Sequence, residues 1–507
     1  MKHFPKSNIS VPAILLVTLI IGLVVGGLSG NWPVGLYVLA ILIALLFLAS
    51  LFIWLSQKDA FLALSIVLLI MPFHTIINNW VEMQTISEPV RLLFSSWKEG
   101  SLLVILVVFL FRLGSQRRFI LRMPPELALM LVFAFLCCIF IFTADNLKEG
   151  LLEYRNLFEG LLILLVLAAV QPPVGRAYHL VGWMVIEGAI LSAWGYFSRY
   201  ILDFYKYLLG FGFIPPDTTH QMLYYRSVFT ISGNLYLRAN SIFSGPNEFA
   251  LYLAILIVVV VAMLLFRRAQ LSYRQRVAYL LALLLLTIGE FISFSRNSWI
   301  LIGVALIMMY IRLRFTQRKL LITVTAIVAL IAGIILIPNL STFIQRTISL
   351  KDSSAAGRMD LIGDGLRVII SHPLGIGLGN ASYKFLGTSP YHVHTEFYLF
   401  IIAMELGWLG LLFYFIVMLA FIFKCYRLTL PGHPPDRRIT GLIAMALLMG
   451  TLTSQFFAAI SIEWIFQIYL WFFVGIAIFS LSSSSTLPPT ATLQSSPDNF
   501  LQELPSQ

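Results

Sequence analysis

Residues 390–400 read PYHVHTEFYLF. His392 and His394 flank one valine, Glu396 follows, and a long apolar run begins almost at once. An imidazole titrating near neutral pH is suited to taking a proton from a sugar-type hydroxyl. Four arginines invite a second chemistry: Arg238 in YLRANSIFSGPNEFA, Arg296 in SFSRNSW, and Arg358 and Arg367 in GRMDLIGDGLRVII. The guanidinium fork pairs with phosphate oxygens two at a time and keeps its charge when partly buried. Several such forks meeting at one place could hold a diphosphate. The plainer alternatives are a histidine that caps a helix end and arginines in local ion pairs.

The elements that must position these residues follow from composition. Of 507 residues, 59% are hydrophobic and only 11% charged, and mean hydropathy is +0.90. That is too little charge to clothe a water-soluble protein of this size, and it indicates a membrane-embedded chain. A span needs about 20 mostly apolar residues, and backbone groups in lipid must be satisfied within a helix. The apolar runs are too continuous for the alternating strands of a membrane barrel. The fold class expected is an all-α polytopic membrane protein.

About 14 candidate spans fall at 11–30, 33–55, 59–78, 93–112, 125–143, 157–171, 178–201, 246–266, 277–294, 298–312, 320–338, 396–423, 439–459 and 464–482. Twelve or thirteen remain possible, because the fourth and sixth are weak. The first follows MKHFPKSN and is read as a membrane helix and not a cleaved signal. The basic stretches 112–122, 267–276, 312–319 and 424–438 all then fall on one side. The net charge of +11 is explained by this topology, not by nucleic acid. By the positive-inside rule that side is cytoplasmic, as are both termini. The organisation expected is membrane helices over 1–201, an outer loop over 202–245, helices over 246–338, a large outer loop over 339–395, helices over 396–482, and a disordered Ser/Thr/Pro-rich tail over 483–507. His392 and His394 then lie at the outer mouth of the twelfth span.

Lys98, Glu99, Glu159, Glu248 and Glu290 lie near outer span ends. Charge in a span is costly, so as a group they suggest an outward-facing polar cavity, although each alone could be a local ion pair. Glu187, mid-span, fits a paired buried acid better than a proton relay. PLGIGLGN (373–380) follows no strand and opens no βαβ unit, so its glycines suggest a tight turn after a short helix near 358–371 and not a nucleotide loop. Tyr and Phe in the first long loop could stack on sugars, but they suit a membrane interface better. Cys137, Cys138 and Cys425 read as small buried hydrophobes, and no metal motif is present.

Four segments in order, SIFSGPNEFALYLA, SFSRNSWILIG, GRMDLIGDGLRVIISHPLGIGLGNA and HTEFYLFIIAMELGWLGLLFY, resemble the O-antigen ligase / O-antigen polymerase superfamily over roughly residues 235–425. The resemblance implies a membrane glycosyltransferase (GT-C-like) fold in the bacterial inner membrane, with its site facing the periplasm. It implies transfer of a glycan from a polyprenyl diphosphate carrier to an acceptor, either a lipid A core or a second lipid-linked glycan. It implies no cofactor, metal or nucleotide sugar. Residue by residue, it makes His394 the catalytic histidine with Arg358 assisting, and Arg296 and Arg238 the diphosphate ligands with Arg367 as a further candidate. Glu396, Glu405 and Asn247 would support them. From His394 to Glu405 is eleven positions, longer than the family's motif, which keeps His392 as the alternative base.

Ligase and polymerase differ only in acceptor, and the His motif and outer loop resemble the ligase type more closely. A lipid-linked glycan transporter is the competing class. It should show internal repeats or helices interrupted near the midplane. The sequence shows neither clearly, and its charges lean to the outer side.

Overall fold

The computed structural model describes residues 49–83, 95–115, 123–213, 228–231, 234–268, 270–312, 353–381, 395 and 397–481. The expected spans 11–30 and 320–338, most of 33–55 and the tail after 481 lie outside these residues. The described chain is overwhelmingly helical, with one two-stranded antiparallel hairpin, β1 (Val228–Ile231) with β2 (Asn234–Leu237), inside the first long loop.

In chain order the helices are α1 (Ala60–Ile70), continued through a 3-10 turn into α2 (His74–Met83), α3 (Trp97–Ser115), α4 (Pro125–Ile141), α5 (Leu147–Val170), α6 (Val174–Tyr200), the short α7 (Phe204–Gly210), α8 (Pro246–Phe266), α9 (Tyr273–Ser293), α10 (Arg296–Arg312), α11 (Ser353–Ser371), α12 (Tyr398–Leu428), α13 (Pro435–Ser454) and α14 (Trp464–Phe479). Five helical stretches among the described residues are long and apolar enough to cross a bilayer: Ala60–Met83, α6, α8, α9 and α12. The chain is a multi-pass membrane protein.

Local chemistry sets the helix ends. Pro246 at the first helical position of α8 lacks the amide that would go unsatisfied there. Glu248 turns back to accept from the Ser244 amide at 2.9 Å and its hydroxyl at 2.5 Å. Ser272 and Gln275 form a reciprocal capping box at the start of α9. Asn146 caps α5 by accepting from the Lys148 amide. That cap lies eleven residues before the expected span at 157. The first turns, LKEGLLEYRN, are too polar to register as a span but are held in the helix by the cap and by buried partners.

Helix α8 is apolar all round and buried almost throughout, which makes it the central post of the bundle. Helices α6, α9, α10, α13 and α14 pack around it. Helices α5 and α14 approach closely because Gly160 leaves room for the Trp471 indole; a Cβ there would fall 1.8 Å from the ring. One end of the bundle collects α6's start, α8's end and α13's start: Arg267 stacks 3.8 Å from the Tyr178 ring, and the Tyr178 hydroxyl donates to the Asp436 carbonyl. Arg312 lies over Tyr426 near the end of α12. The basic stretches around 267, 312 and 424–438 thus flank helix termini that meet at one end.

Helix α12 differs from the expected single span at 396–423. Gly407 sits at φ 69°, ψ −174°, outside helical geometry, and divides it. Residues 398–406 form a short, buried helix, and residues 408–428 form the lipid-facing rod, with Trp408, Leu409, Leu412, Ile416 and Leu419 exposed. Those 21 residues reach about 31 Å, enough to cross the hydrocarbon without the first segment.

Candidate functional site

The site region lies at the end of the bundle opposite Arg267 and Arg312, where α9 turns into α10. The turn is tight: Phe294 takes a left-handed conformation at φ 52°, and Ser295 and Ser298 are fully buried. Ser298 donates to the Glu290 carboxylate, clamping the turn from within. The chain entering α8 packs on the same turn. The Ala239 amide donates to the Ile292 carbonyl at 3.0 Å, and Arg238 Nε donates to the Ser293 carbonyl at 2.7 Å. The other side of the Arg238 guanidinium donates to Asn247 Oδ1 at 2.6 Å. Arg238 and Asn247 therefore meet at the α9–α10 turn, and Arg296, half-buried, opens α10 three residues after Ser293. Residues more than 50 positions apart are brought together by one backbone bond and one side-chain bond to a backbone carbonyl, which sequence reasoning could not supply.

The second part of the region is the path into α12. His372 follows the last residue of α11, and the glycine-rich run after it is more than the expected tight turn. It is a ribbon threaded between the α4–α5 connection and the break in α12. The Ile376 amide donates to the Met404 carbonyl at 2.8 Å, Gly377 to Glu405 at 3.1 Å, and Leu378 to Phe140 at 3.1 Å. In return the Trp408 amide donates to the Pro373 carbonyl at 3.1 Å. Gly375, Gly377 and Gly379 all adopt positive φ, near 88°, 92° and 84°, and each lies against neighbouring backbone. Only glycine suits this alternation.

Glu405 is occupied with the ribbon: Oε1 accepts from the Gly379 amide at 3.0 Å and the Ala381 amide at 3.2 Å. Glutamine keeps that acceptor oxygen and alanine does not. Glu405→Gln is therefore expected to leave thermal stability near wild type. Glu405→Ala should lose roughly 1–3 kcal/mol for each stranded amide, seen as a lowered unfolding midpoint in detergent. Equal melting of the two variants would contradict this role.

His392, His394 and Glu396 lie outside the described residues, and of Arg358 only the backbone, within α11, lies inside them. The neighbours of the histidines are placed: Thr395 is fully buried and its Oγ1 accepts from the Phe397 amide at 3.1 Å, leading directly into α12. Arg367 is exposed and pairs at 3.3 Å with Asp364 one turn earlier.

A cluster that the sequence suggested only in part lies between α3 and α5. Lys98, 1% exposed, is bonded to the Glu159 carboxylate and stands 3.2 Å from Glu99. Arg155 reaches Glu99 at 3.4 Å and Glu159 at 3.9 Å. Lys98 also stands 4.3 Å over the Trp464 ring, and Trp97 donates to His74 Nδ1 at 2.9 Å. Reading these charges one by one missed Arg155, although its spacing of four before Glu159 on a helix was a legible signal. With Glu248 capping α8 and Glu290 holding the α10 turn, each of the five charges expected to line a cavity has a partner within the protein. Lys98→Ala strands Glu159 in a buried setting and should cost ~3–5 kcal/mol. Lys98→Met with Glu159→Met should recover much of that loss, read from the unfolding midpoints of the single and double variants.

No cluster of metal-ligating side chains occurs among the described residues. No curated protein matches the chain. The matching family model is described as O-antigen ligase and covers residues 280–415. That segment runs from α9 through the Arg296 turn, α11 and the glycine ribbon into α12, and it includes His392, His394, Arg358, Arg367, Glu396 and Glu405 while leaving out Arg238 and Asn247. Residues 280–415 are thus similar to the O-antigen ligase family, which supports the O-antigen ligase/polymerase superfamily for that segment.

Proposed function

We propose that the protein is an O-antigen ligase-type glycan transferase, moving a glycan from a polyprenyl diphosphate carrier to an acceptor hydroxyl at the periplasmic face of the inner membrane. The observation that carries this reading is the junction of Arg238, Asn247 and the Ser293 carbonyl at the turn that opens on Arg296. It lies within or beside the family-matched segment, and a guanidinium oriented on two sides is pre-set to receive a diphosphate. In the reaction, His394 takes the acceptor hydroxyl's proton as its oxygen bonds to the anomeric carbon. The carbon–oxygen bond to the carrier diphosphate breaks with inversion, and the leaving charge falls on Arg296 and Arg238, with Arg358 and Arg367 as further cations.

Arg238→Lys keeps the charge and loses the fork. A bidentate charge-assisted contact is worth roughly 1.5–3 kcal/mol, so kcat/KM for the donor should fall about 10- to 100-fold. An unchanged value would remove Arg238 from the diphosphate site.

The reading is tested with purified protein in nanodiscs and a polyprenyl-diphosphate oligosaccharide as the only glycan. Transfer that requires a lipid A core or another added acceptor supports the ligase. A ladder of longer carrier-linked glycans identifies the polymerase of the same superfamily. No transfer under either condition overturns the proposal and favours a lipid-linked glycan transporter.

A further inference from the structure

Helix α11 divides its surface three ways. At ~100° per residue, Gly365, Val368 and Ile369 fall together on a buried face. That face lies against the start of α12, where a Cβ on Gly365 would stand 3.1 Å from the Phe400 ring. The exposed remainder is not uniformly polar. Leu366 and Ile370, one turn apart, form an exposed apolar flank, Ile370 being 72% exposed. Arg367 and Ser371 form an exposed polar flank beside it. A surface helix in water gains nothing from such an apolar flank, whereas a helix lying in a lipid interface needs one.

The surroundings say what covers it. The apolar flank continues into Leu374, 73% exposed, and the Pro373 carbonyl accepts from the Trp408 amide. Trp408 is the first residue of the lipid-facing stripe of α12 that continues through Leu409 and Leu412. The α11 flank and the lipid-facing surface of a membrane-spanning rod are therefore one continuous apolar surface, joined at the Gly407 break. We propose that α11 is an interfacial helix, lying along the bilayer surface with Leu366, Ile370 and Leu374 in the acyl–headgroup boundary of the same membrane and Arg367 on its water-facing side.

The glycine ribbon fixes the geometry. Its backbone bonds to Met404, Glu405 and Trp408 hold the C-terminal end of α11 at the top of the lipid-facing rod, so the helix can neither lift away nor sink independently of α12. One consequence rests on the transfer reading: Arg358, carried on the same helix, would stay at the depth where a diphosphate anchored by its polyprenyl tail resides.

The test uses the full chain in nanodiscs, spin-labelled at single introduced cysteines. The native Cys137 and Cys425 are buried, and residual labelling of the unsubstituted chain is subtracted. Collision with dissolved oxygen is compared with collision with a water-soluble nickel chelate. Labels at Leu366→Cys and Ile370→Cys should favour oxygen, as should a reference label at Leu412→Cys, while Arg367→Cys should favour nickel. Nickel-accessible labels at 366 and 370 would overturn the proposal, because the flank would then face water. Labels shielded from both reagents would overturn it too, because protein and not lipid would cover the flank. The readout needs no glycan donor, so its failure is distinguishable from failure of the transfer reaction.

Discussion

Replacing His394 by alanine is expected to slow glycan transfer by about two to four orders of magnitude, the usual contribution of a general base. The acceptor hydroxyl is a poor nucleophile until its proton is removed, and the leaving diphosphate needs cations, not a base. In the proposed reaction these two tasks divide between the histidine and the arginines. Thr395, the next residue, is fully buried, and its hydroxyl accepts from the Phe397 amide at the entry to α12. His392→Ala should leave turnover within a few-fold of wild type, since one proton acceptor suffices. The assay is initial-rate transfer with saturating donor, which separates a lost base from weakened binding. Near-normal turnover in His394→Ala, with a collapse in His392→Ala, would move the role to the other imidazole.

The second large effect is expected at Gly407. Its φ of 69° with ψ of −174° lies in a region that is essentially restricted to glycine. A Cβ there would stand 2.4 Å from the Pro373 carbonyl oxygen and 2.6 Å from the Leu374 carbonyl carbon, both backbone and neither able to swing aside. Gly407→Ala must therefore straighten the break or expel the ribbon. Either outcome detaches α11 from the top of the α12 rod and disturbs the chain just after the histidines. The expected result is loss of most monodisperse protein on size exclusion, and activity below a tenth of wild type in what remains, a cost of more than about 1.4 kcal/mol in transition-state stabilisation. Gly303→Ala on α10 is the control. No atom lies within 4 Å of its Cβ position, and alanine is the better helix former, so behaviour at or slightly above wild-type stability is expected. Equal behaviour of the two variants would show that the break in α12 is dispensable.

The parts of this architecture visible in the sequence are those set by local composition. The start of α8 at Pro246 followed from proline in a glycine-proline step before an apolar run, and its end at Phe266 from the arginines that follow. Helices α6, α9 and α14 were legible for the same reason. Two features were hidden by that same signal. Hydropathy runs unbroken through ELGWLG, so the Gly407 break could not be seen; it depends on a carbonyl delivered from residue 373. The first turns of α5 carry Lys148, Glu149, Glu153 and Arg155, so they read as loop until Lys98 of α3 is placed beside Glu159. The candidate site divides similarly. Residue type marked the arginines and histidines as capable of the chemistry. The bonds that orient Arg238, to a carbonyl 55 residues away and to Asn247, belong to the packing of α8 against the α9–α10 turn. Glu405 shows the converse: a carboxylate eleven residues after His394 suggests a helper in the site, and the structure shows it holding two amides of the glycine ribbon.

In the proposed reaction the bond between a glycan and its carrier diphosphate is cleaved by attack of an acceptor hydroxyl. The most direct measurement is a single-turnover reaction in nanodiscs with a donor labelled separately in its glycan and its polyprenyl chain, and with acceptor present. Free polyprenyl diphosphate should appear in step with acceptor-linked glycan, one for one, and both should vanish together in His394→Ala. Release of the carrier without glycan transfer, or movement of intact donor across the bilayer with both labels still joined, would contradict the proposal.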